Sequence, residues 1–254
     1  MHRLFISDLH LDDPNSPQFL RFVECLAEEA LDVDEIYILG DLVEMWVGDD
    51  DTSEPAEQIV DILREASALA AVFVVHGNRD FLLGERFCER TGVTLLEDPF
   101  VLDGDILLSH GDLFCTDDHA YQNVRKLLRS DAWQQELMEK SLADRQQLGK
   151  QMRAQSMQAN ANKSTQIMDV NAAAIGEAMR ISGATTLIHG HTHRPADYPK
   201  RGTDAFRRIV LGDWQDCGWL CRQVDDDLSL ESVSYTHLRA HETEADLVCR
   251  LLLE

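Results

Sequence analysis

Five short apolar segments of the sequence each end in a loop made of Asp, His, Asn and Gly. Residues 71–75, for example, run directly into His76-Gly77-Asn78-Arg79-Asp80. Buried parallel strands present polar groups in this way at their carboxyl ends. We therefore expect the five loops to gather polar side chains from across the chain into one site. The other four loops contain Asp8 and His10; Gly40 and Asp41; His110, Gly111 and Asp112; and His189, Gly190 and His191.

Length and composition favour one acidic domain without a membrane span. The 254 residues contain no long linker rich in Pro, Gly or Ser, and 46 acidic against 23 basic residues give a formal charge of −23. Such a charge repels nucleic acid, so we predict no nucleic-acid partner. Neither a secretory signal nor an apolar run of about 18 residues is present, which predicts a cytoplasmic protein. The six cysteines form no C-x-x-C pair, which is typical of reduced thiols.

The order of strand and helix patterns predicts an α/β domain over residues 1–233. Strands at 3–7, 36–39 and 71–75 alternate with helices that begin at Ser16-Pro17 and Glu54-Pro55, which indicates a largely parallel sheet. Asp103-Gly104 predicts a hairpin, and residues 118–180 a helical insertion. The late strands at 206–211, 219–223 and 228–233 alternate apolar with polar residues, as antiparallel strands do. Residues 235–254 resemble a translated adaptor and are predicted to be a non-native tail.

The five loops together offer the ligands of a dinuclear metal site. Asp8 and His10 lie two residues apart, so on an extended segment both can face one cation, and Asp41 has two oxygens with which to bridge two cations. Nitrogen and oxygen ligands without thiolates favour Mn²⁺ or Fe²⁺, with Zn²⁺ or Co²⁺ as alternatives. Any one of these residues alone is usually a polar core or turn residue. The seven predicted ligands, too many for one tetrahedral zinc, are Asp8, His10, Asp41, Asn78, His110, His189 and His191.

This ordered set of motifs resembles the calcineurin-like metallophosphoesterase superfamily. Its pattern D-x-H, G-D, G-N-[H/R]-[D/E], H and G-H-x-H corresponds to Asp8-Leu9-His10, Gly40-Asp41, Gly77-Asn78-Arg79-Asp80, His110 and Gly190-His191-Thr192-His193. The resemblance implies a four-layer α/β/β/α sandwich that hydrolyses a phosphoester or phosphoanhydride, with Asp41 bridging two metals. His193 is expected outside the ligand shell, where it would orient its loop.

Arg79 narrows the expected reaction. Many superfamily members have His at this position to protonate an alkoxide leaving group, whereas arginine does not lose its proton near neutral pH. A phosphate monoester leaving from a pyrophosphate needs no proton, and Arg79 would instead neutralise phosphate oxygens. The alternative is a salt bridge from Arg79 to Asp80 or Asp41 without substrate contact.

A closer resemblance is to the UDP-2,3-diacylglucosamine pyrophosphohydrolase family of lipid A biosynthesis. It is carried by Trp46-Val47-Gly48-Asp49-Asp50, Cys115-Thr116-Asp117-Asp118, Ile167-Met168-Asp169-Val170-Asn171 and the spacing of Arg153, Ser156, Asn160 and Lys163. It implies attack of an activated water on the α-phosphorus, with Mn²⁺ as cofactor and residues 118–180 as a lid. The implied substrate contacts are Asn78, Arg79, Asp118, Tyr121, Arg153, Ser156, Asn160, Lys163 and His189.

The resemblance also implies a membrane contact and an oligomeric state, and other interpretations remain beside it. The substrate is lipid-linked, so a weak, peripheral contact with the cytoplasmic face of the inner membrane is expected, and the protein is expected to be a monomer. From spacing alone, however, the four residues Arg153, Ser156, Asn160 and Lys163 also fit an ordinary solvated helix face. The alternative functions are another dinuclear phosphoesterase, such as a nucleotide pyrophosphatase or cyclic-nucleotide phosphodiesterase, and a non-catalytic metal-binding scaffold.

Overall fold

A computed structural model describes residues 1–161, 163, 167–200 and 206–233, and the side chains of residues 160 and 161 are not included. The predicted tail at 235–254 therefore lies outside the described residues. The strands are β1 (His2–Ile6), β2 (Glu35–Leu39), β3 (Ala71–Val75), β4 (Thr94–Leu96), β5 (Phe100–Leu102), β6 (Ile106–Ser109), β7 (Thr186–His189), β8 (Ala196–Tyr198), β9 (Arg207–Val210), β10 (Gly218–Val224) and β11 (Asp227–Val233). The helices are α1 (Pro17–Glu29), α2 (Glu54–Ser67), α3 (Glu85–Thr91), α4 (His119–Leu128), α5 (Asp131–Met138), α6 (Leu142–Ala161) and α7 (Ala172–Ser182).

The first sheet has the strand order β11-β10-β1-β2-β3-β4. Strands β1 to β4 are parallel, and β10 and β11 form an antiparallel hairpin that adds to the edge of β1. Helix α1 begins where the sequence predicts, because the Ser16 side chain accepts a hydrogen bond from the Phe19 N–H and Pro17 occupies the first turn. The predicted β-α-β-α-β order is confirmed.

The second sheet has the order β5-β6-β7-β9-β8. The hairpin predicted at Asp103-Gly104 joins β5 to β6. The antiparallel prediction for residues 206–211 was wrong in part, because β9 runs parallel to β7 and antiparallel only to the short edge strand β8. The first two residues of β9 are half-buried arginines and the last two are buried Ile209 and Val210, so the strand is a polar pair followed by an apolar pair and does not alternate.

Three apolar clusters separate four layers. The largest joins α1, α2 and α3 to the first sheet, and includes Phe22, Leu63 and Phe87. The second lies between the two sheets, and the third packs Ile175 and Met179 of α7 on the second sheet. The predicted α/β/β/α sandwich is confirmed.

The described part of the region predicted as a helical insertion is mainly helical and contains α4, α5, α6 and α7. Helices α4, α5 and α6 lie beside the loops at the ends of the strands: the side chain of Arg129 donates to the Gly77 carbonyl at 2.9 Å, and that of Arg145 donates to the Val47 carbonyl at 2.6 Å. Helix α7 instead belongs to the sandwich, since it covers the second sheet. The assignment of a lid to this region stays a prediction. Among the described helices, none combines the length and apolarity that a membrane span requires.

Candidate metal centre

The predicted site residues follow the carboxyl ends of β1, β2, β3, β6 and β7. Direct backbone hydrogen bonds join these loops: the Asp8 N–H donates to the Gly40 carbonyl at 3.1 Å and the His10 N–H to the Asp41 carbonyl at 2.9 Å. In the second sheet, the Gly190 N–H donates to the His110 carbonyl at 2.9 Å, and between the two sheets the His191 N–H donates to the Asp8 carboxylate at 2.9 Å. The two sheets therefore meet at this edge, and the five loops form one surface as the sequence predicts.

Five residues of this surface have left-handed backbone conformations. Their φ angles are 55° at Asp8, 46° at His10, 53° at Asp41, 67° at His191 and 54° at His193. Such angles are uncommon for residues with a side chain and are best tolerated by Asn, Asp and His. They recur where surrounding structure holds a functional side chain in place, and here they turn each side chain toward the shared edge.

One group of potential ligands contains Asp8, His10 and His193, whose ligand atoms all lie within 4.8 Å of one another. His193 Nε2 lies 3.4 Å from Asp8 Oδ1 and 3.3 Å from His10 Nε2. Asp8 is held from behind, because its carboxylate accepts the Ser7 hydroxyl at 2.6 Å and the His191 N–H at 2.9 Å. Two imidazoles and one carboxylate thus converge on one point.

A second group lies beside the first. Asp8, Asp41 and His110 satisfy the same 4.8 Å criterion. His110 Nε2 lies 3.0 Å from Asn78 Oδ1 and 3.2 Å from His191 Nδ1, and His191 Nδ1 lies 2.9 Å from Asn78 Oδ1. Asn78 and His191 therefore lie against this second group through His110. All five residues are predicted ligands.

The protonation of these groups follows from burial and from the two aspartates. Burial would lower the pKa of His110, but Asp41 and Asp8 outweigh it and raise that pKa to about 9. Burial would also lower the pKa of His193, but Asp213 and Asp8 outweigh it and raise that pKa to about 10. At His191 the balance is the reverse: burial and the neighbouring His110 outweigh the aspartates Asp112, Asp41 and Asp8, and lower the pKa to about 4. Burial would raise the pKa of Asp8, but the surrounding histidines lower it.

Gly77 permits the close approach of two ligand loops. A Cβ atom at this position would lie 2.2 Å from Asp41 Oδ1 and 2.3 Å from the Asp41 nitrogen. Since contacts under 3.0 Å are essentially never observed for real Cβ atoms, a side chain there would displace Asp41. The glycine of the G-N motif is therefore needed for the position of Asp41, and the asparagine supplies a ligand.

The structure places His193, and not His189, beside Asp8 and His10. His189 is fully buried, its Nδ1 lies 2.9 Å from the Gly190 carbonyl, and neither ligand group found among the described residues includes it. Burial lowers the His189 pKa to about 4. His193, expected outside the ligand shell, lies beside Asp8 and His10. The prediction that His189 binds metal or substrate stays a prediction, and the geometry favours His193 in the ligand set.

The metal centre opens into a cleft of about 880 Å³ between the strand ends and helices α4 and α6. Two charged contacts cross it. Lys163 Nζ lies 2.5 Å from Asp118 Oδ2, and Arg153 pairs with Glu44. Seven of the described substrate-contact candidates line this cleft and His189 does not; the seven are Asn78, Arg79, Asp118, Tyr121, Arg153, Ser156 and Lys163. The side chain of Asn160 lies outside the described residues.

Arg79 does not form the ion pair weighed as its alternative role. Its backbone N–H donates to Asp41 Oδ1 at 2.9 Å, and the carboxylate of Asp80 is occupied by the N–H groups of Leu42 and Gly77 at 2.8 and 2.6 Å. Among the described residues, the buried Arg79 Nε has no hydrogen-bond partner. The guanidinium of Arg79 is thus available to an anionic ligand in the cleft.

Sequence reasoning missed a set of charged residues that support the site. Asp112 is fully buried and accepts the Tyr121 hydroxyl at 2.6 Å and the Arg125 Nε–H at 2.7 Å. Asp213 Oδ2 lies 3.6 Å from His193 Nδ1, and Glu44 Oε2 lies 3.3 Å from His10 Nδ1. Asp112 follows a predicted ligand, His110, within one of the five loops, so its position was a usable signal; Asp213 and Glu44 carried none.

The donor set fits divalent cations. Two carboxylates, one amide oxygen and several imidazole nitrogens converge without a thiolate, as cations of intermediate hardness prefer. His191, whose lowered pKa makes it neutral near pH 7, directs Nδ1 at the Asn78 oxygen and at His110 Nε2. A divalent cation between these atoms would turn three crowded donor atoms into ligands.

The fold and this ligand set are those of a metal-dependent phosphoesterase. The sequence profile of the calcineurin-like phosphoesterase family matches residues 1–195, and the chain belongs to that family. Three curated relatives of the chain carry the name UDP-2,3-diacylglucosamine hydrolase. The one from Aromatoleum aromaticum is 45% identical over 85% of this chain and 90% of its own length. The relatives from Chromohalobacter salexigens and Aeromonas salmonicida are 42% and 44% identical, over 89% and 96% of this chain and 94% and 99% of their own lengths. The resemblance drawn from the motifs is confirmed, and with it a hydrolase that uses divalent metal.

Proposed function

We propose that this chain hydrolyses the pyrophosphate bond of UDP-2,3-diacylglucosamine to UMP and 2,3-diacylglucosamine 1-phosphate, a step of lipid A biosynthesis. The observation that carries the proposal is its similarity to the hydrolase of that name from A. aromaticum, 45% identical over 90% of the relative's length. The ligand groups and the cleft beside them support it.

The metal centre is proposed to hold two Mn²⁺ ions. Asp8, His10 and His193 would bind one and Asn78, His110 and His191 the other, with Asp41 between them. When bound, the two cations supply Lewis acidity to phosphate oxygens and lower the pKa of a water molecule. The chain's own contribution is to fix these side chains, since the loops are joined by backbone hydrogen bonds.

Arg79 is proposed to neutralise the transferred phosphate. Its backbone is anchored to Asp41 at 2.9 Å, which fixes where the side chain leaves the loop. A guanidinium stays protonated and donates in a planar fork that suits phosphate oxygens. The leaving 1-phosphate carries its charge without needing a proton, so the absence of an acid at position 79 is no obstacle to this reaction.

Helices α4 to α6 are proposed to form the lid that holds the substrate. Tyr121, Arg153, Ser156 and Lys163 line the cleft and would contact the uridine, diphosphate and glucosamine groups. Arg153 and Lys163 are both paired with carboxylates, so Glu44 and Asp118 hold these two cations in place at the cleft, where their remaining N–H groups would face an anionic substrate. Asp118 and Asn160 complete the predicted contacts.

We further propose a cytoplasmic monomer that visits the inner membrane peripherally to collect its lipid-linked substrate. Exposed apolar residues on the lid support such a visit: Val124 and Leu127 on α4 are 50% and 56% exposed, and Met157 on α6 is 59% exposed. The net charge of −23 opposes strong attraction to anionic lipid. The contact is therefore weak.

The test compares UMP release from UDP-2,3-diacylglucosamine and from UDP-N-acetylglucosamine in the presence of Mn²⁺. We expect turnover of the acylated substrate and loss of turnover in Asp41→Ala. Asp61→Ala is the control, because Asp61 is an exposed carboxylate on α2 that pairs with Arg64 at the surface. Equal turnover of both substrates would contradict the assignment of a lipid-linked substrate. Absence of turnover by the wild type would contradict the proposal that the protein is an enzyme of this kind.

A further inference from the structure

Glu44 is fixed to the loop that carries Asp8 and His10. Its backbone N–H donates to the Leu11 carbonyl at 3.0 Å, and Val43 forms a parallel bridge with Leu11. Its side chain is only 18% exposed. The carboxylate therefore lies in a defined place behind the metal centre and is not a mobile surface group.

Glu44 faces the far nitrogen of His10. His10 Nε2 points into the metal centre, where it lies 3.3 Å from His193 Nε2 and 3.7 Å from Asp41 Oδ2. His10 Nδ1 consequently points away from the centre, 3.3 Å from Glu44 Oε2.

The contact is close but not yet aligned as a hydrogen bond. Buried polar atoms usually have a partner, yet His10 Nδ1 and Glu44 Oε1 have no aligned hydrogen bond in the described part of the chain. At a separation of 3.3 Å, a small rotation of the imidazole ring would align Nδ1–H with the carboxylate. Coordination of a cation at Nε2 favours this, because it fixes the proton on Nδ1.

The other side of Glu44 faces the lid. The Arg153 Nε–H of α6 pairs with Glu44 Oε1. One carboxylate thus stands between a metal ligand and a predicted substrate contact, with one oxygen toward each.

Another histidine of the site has a comparable oxygen behind it. His110 Nδ1 lies 2.9 Å from the Leu39 carbonyl. Histidines that bind metals generally donate their second N–H to a carboxylate or carbonyl, which sets the tautomer and raises their basicity. Among the described residues, Glu44 supplies the oxygen with which His10 would complete this pattern.

We propose that Glu44 is a positioning residue that orients His10 toward the metal through Nδ1 and holds Arg153 over the cleft. This inference rests on the proposed function, because it assumes a metal at His10. Glu44 acts on the metal through His10 and on the substrate through Arg153. Its two roles can be separated by changing each partner.

The experiment measures Mn²⁺ affinity without substrate, by electron paramagnetic resonance of free Mn²⁺ and by calorimetry. Removing a carboxylate behind a metal-binding histidine typically weakens affinity about 10- to 100-fold, and we expect such a loss in Glu44→Ala. Glu44→Gln should retain more affinity than Glu44→Ala, because the amide oxygen still accepts Nδ1–H. Arg153→Met should keep wild-type Mn²⁺ affinity while raising KM.

Glu29→Ala is the matched control. Glu29 is 16% exposed and pairs with Arg222 of β10, away from the metal centre. The variant therefore loses a comparable ion pair but no contact with the metal centre. Thermal unfolding of the metal-free variants should show that all remain folded. Wild-type affinity in Glu44→Ala, or an equal loss in Arg153→Met, would overturn the inference while leaving the proposed function intact. If the wild type itself bound no Mn²⁺, the proposed function would fail and this inference with it.

Discussion

Replacing Gly77 by alanine should damage the metal centre although it substitutes no candidate ligand. The new Cβ would lie 2.2 Å from Asp41 Oδ1, so Asp41 must move by about 0.8 Å to restore the 3.0 Å limit. The carboxylate cannot move freely, because Asp41 is buried and Oδ1 already accepts the Arg79 N–H at 2.9 Å. The displacement therefore reaches the loop that carries Asn78 and Arg79.

The size of the effect follows from that displacement. A misplacement of about 1 Å at a reacting centre can reduce turnover about 10²-fold, and overpacking a dense region costs about 1–3 kcal/mol. For a chain of this length, we expect the melting temperature to fall by roughly 2–4 °C for each kcal/mol lost. Gly77→Ala should therefore lose most activity and much Mn²⁺ affinity while remaining folded.

Activity, Mn²⁺ affinity and thermal unfolding should be measured together, with Gly176→Ala as the control. Gly176 lies in α7, and a Cβ there meets nothing within 4 Å. Alanine in a helix is favoured over glycine by about 0.5–1 kcal/mol, so this variant should be slightly more stable and fully active. Near wild-type turnover and Mn²⁺ affinity in Gly77→Ala would refute the claim that this glycine is needed for the position of Asp41.

Three further predictions address charge. Arg79→Ala should lower kcat about 10²- to 10³-fold and leave the number of bound Mn²⁺ ions unchanged. If the variant bound fewer Mn²⁺ ions, Arg79 would instead have a structural role in the metal centre. The pKa values of His110 and His193, raised to about 9 and about 10, keep both protonated near neutral pH in the metal-free protein. Binding of the metal ions should then release about two protons, and Mn²⁺ affinity should rise as the pH rises toward 10. Calorimetry in buffers of different ionisation heat measures the number of protons released, and a value of zero would contradict this prediction. Asp112→Asn should cost about 3 kcal/mol in urea unfolding, because Arg125 loses its buried partner, and an unchanged unfolding midpoint would contradict this.

The sequence was most informative where burial and turn chemistry agreed. Strand β3 was predicted with its observed bounds, because residues 71–75 are apolar and stop at a glycine loop. The start of α1 was marked by Ser16 and Pro17. By contrast, the three-residue strands β4 and β8 were missed, since so short a run has no detectable period.

The candidate site was predicted as a set of loops but not as a geometry. Backbone dihedrals decided which histidine of the last loop turns toward Asp8: His193, at a φ of 54°, lies beside it, while His189 remains the last residue of β7. No residue pattern reports such an angle. Glu44 was missed for a related reason, because its importance depends on which ring nitrogen of His10 faces the metal centre.

The left-handed conformations at the metal centre also bear on how the protein could be engineered. Each such residue costs about 1–2 kcal/mol relative to a relaxed backbone, and glycine would adopt the same angles without that cost. Replacing His191 by glycine would remove a ligand but relieve the backbone at a φ angle of 67°, whereas Asp8→Gly would also leave the Ser7 hydroxyl and the His191 N–H without their buried acceptor. Selection for thermal stability alone, with activity unmonitored, would therefore favour inactive chains with an intact sandwich. Screens for hardier variants of this protein need a catalytic readout from the first round.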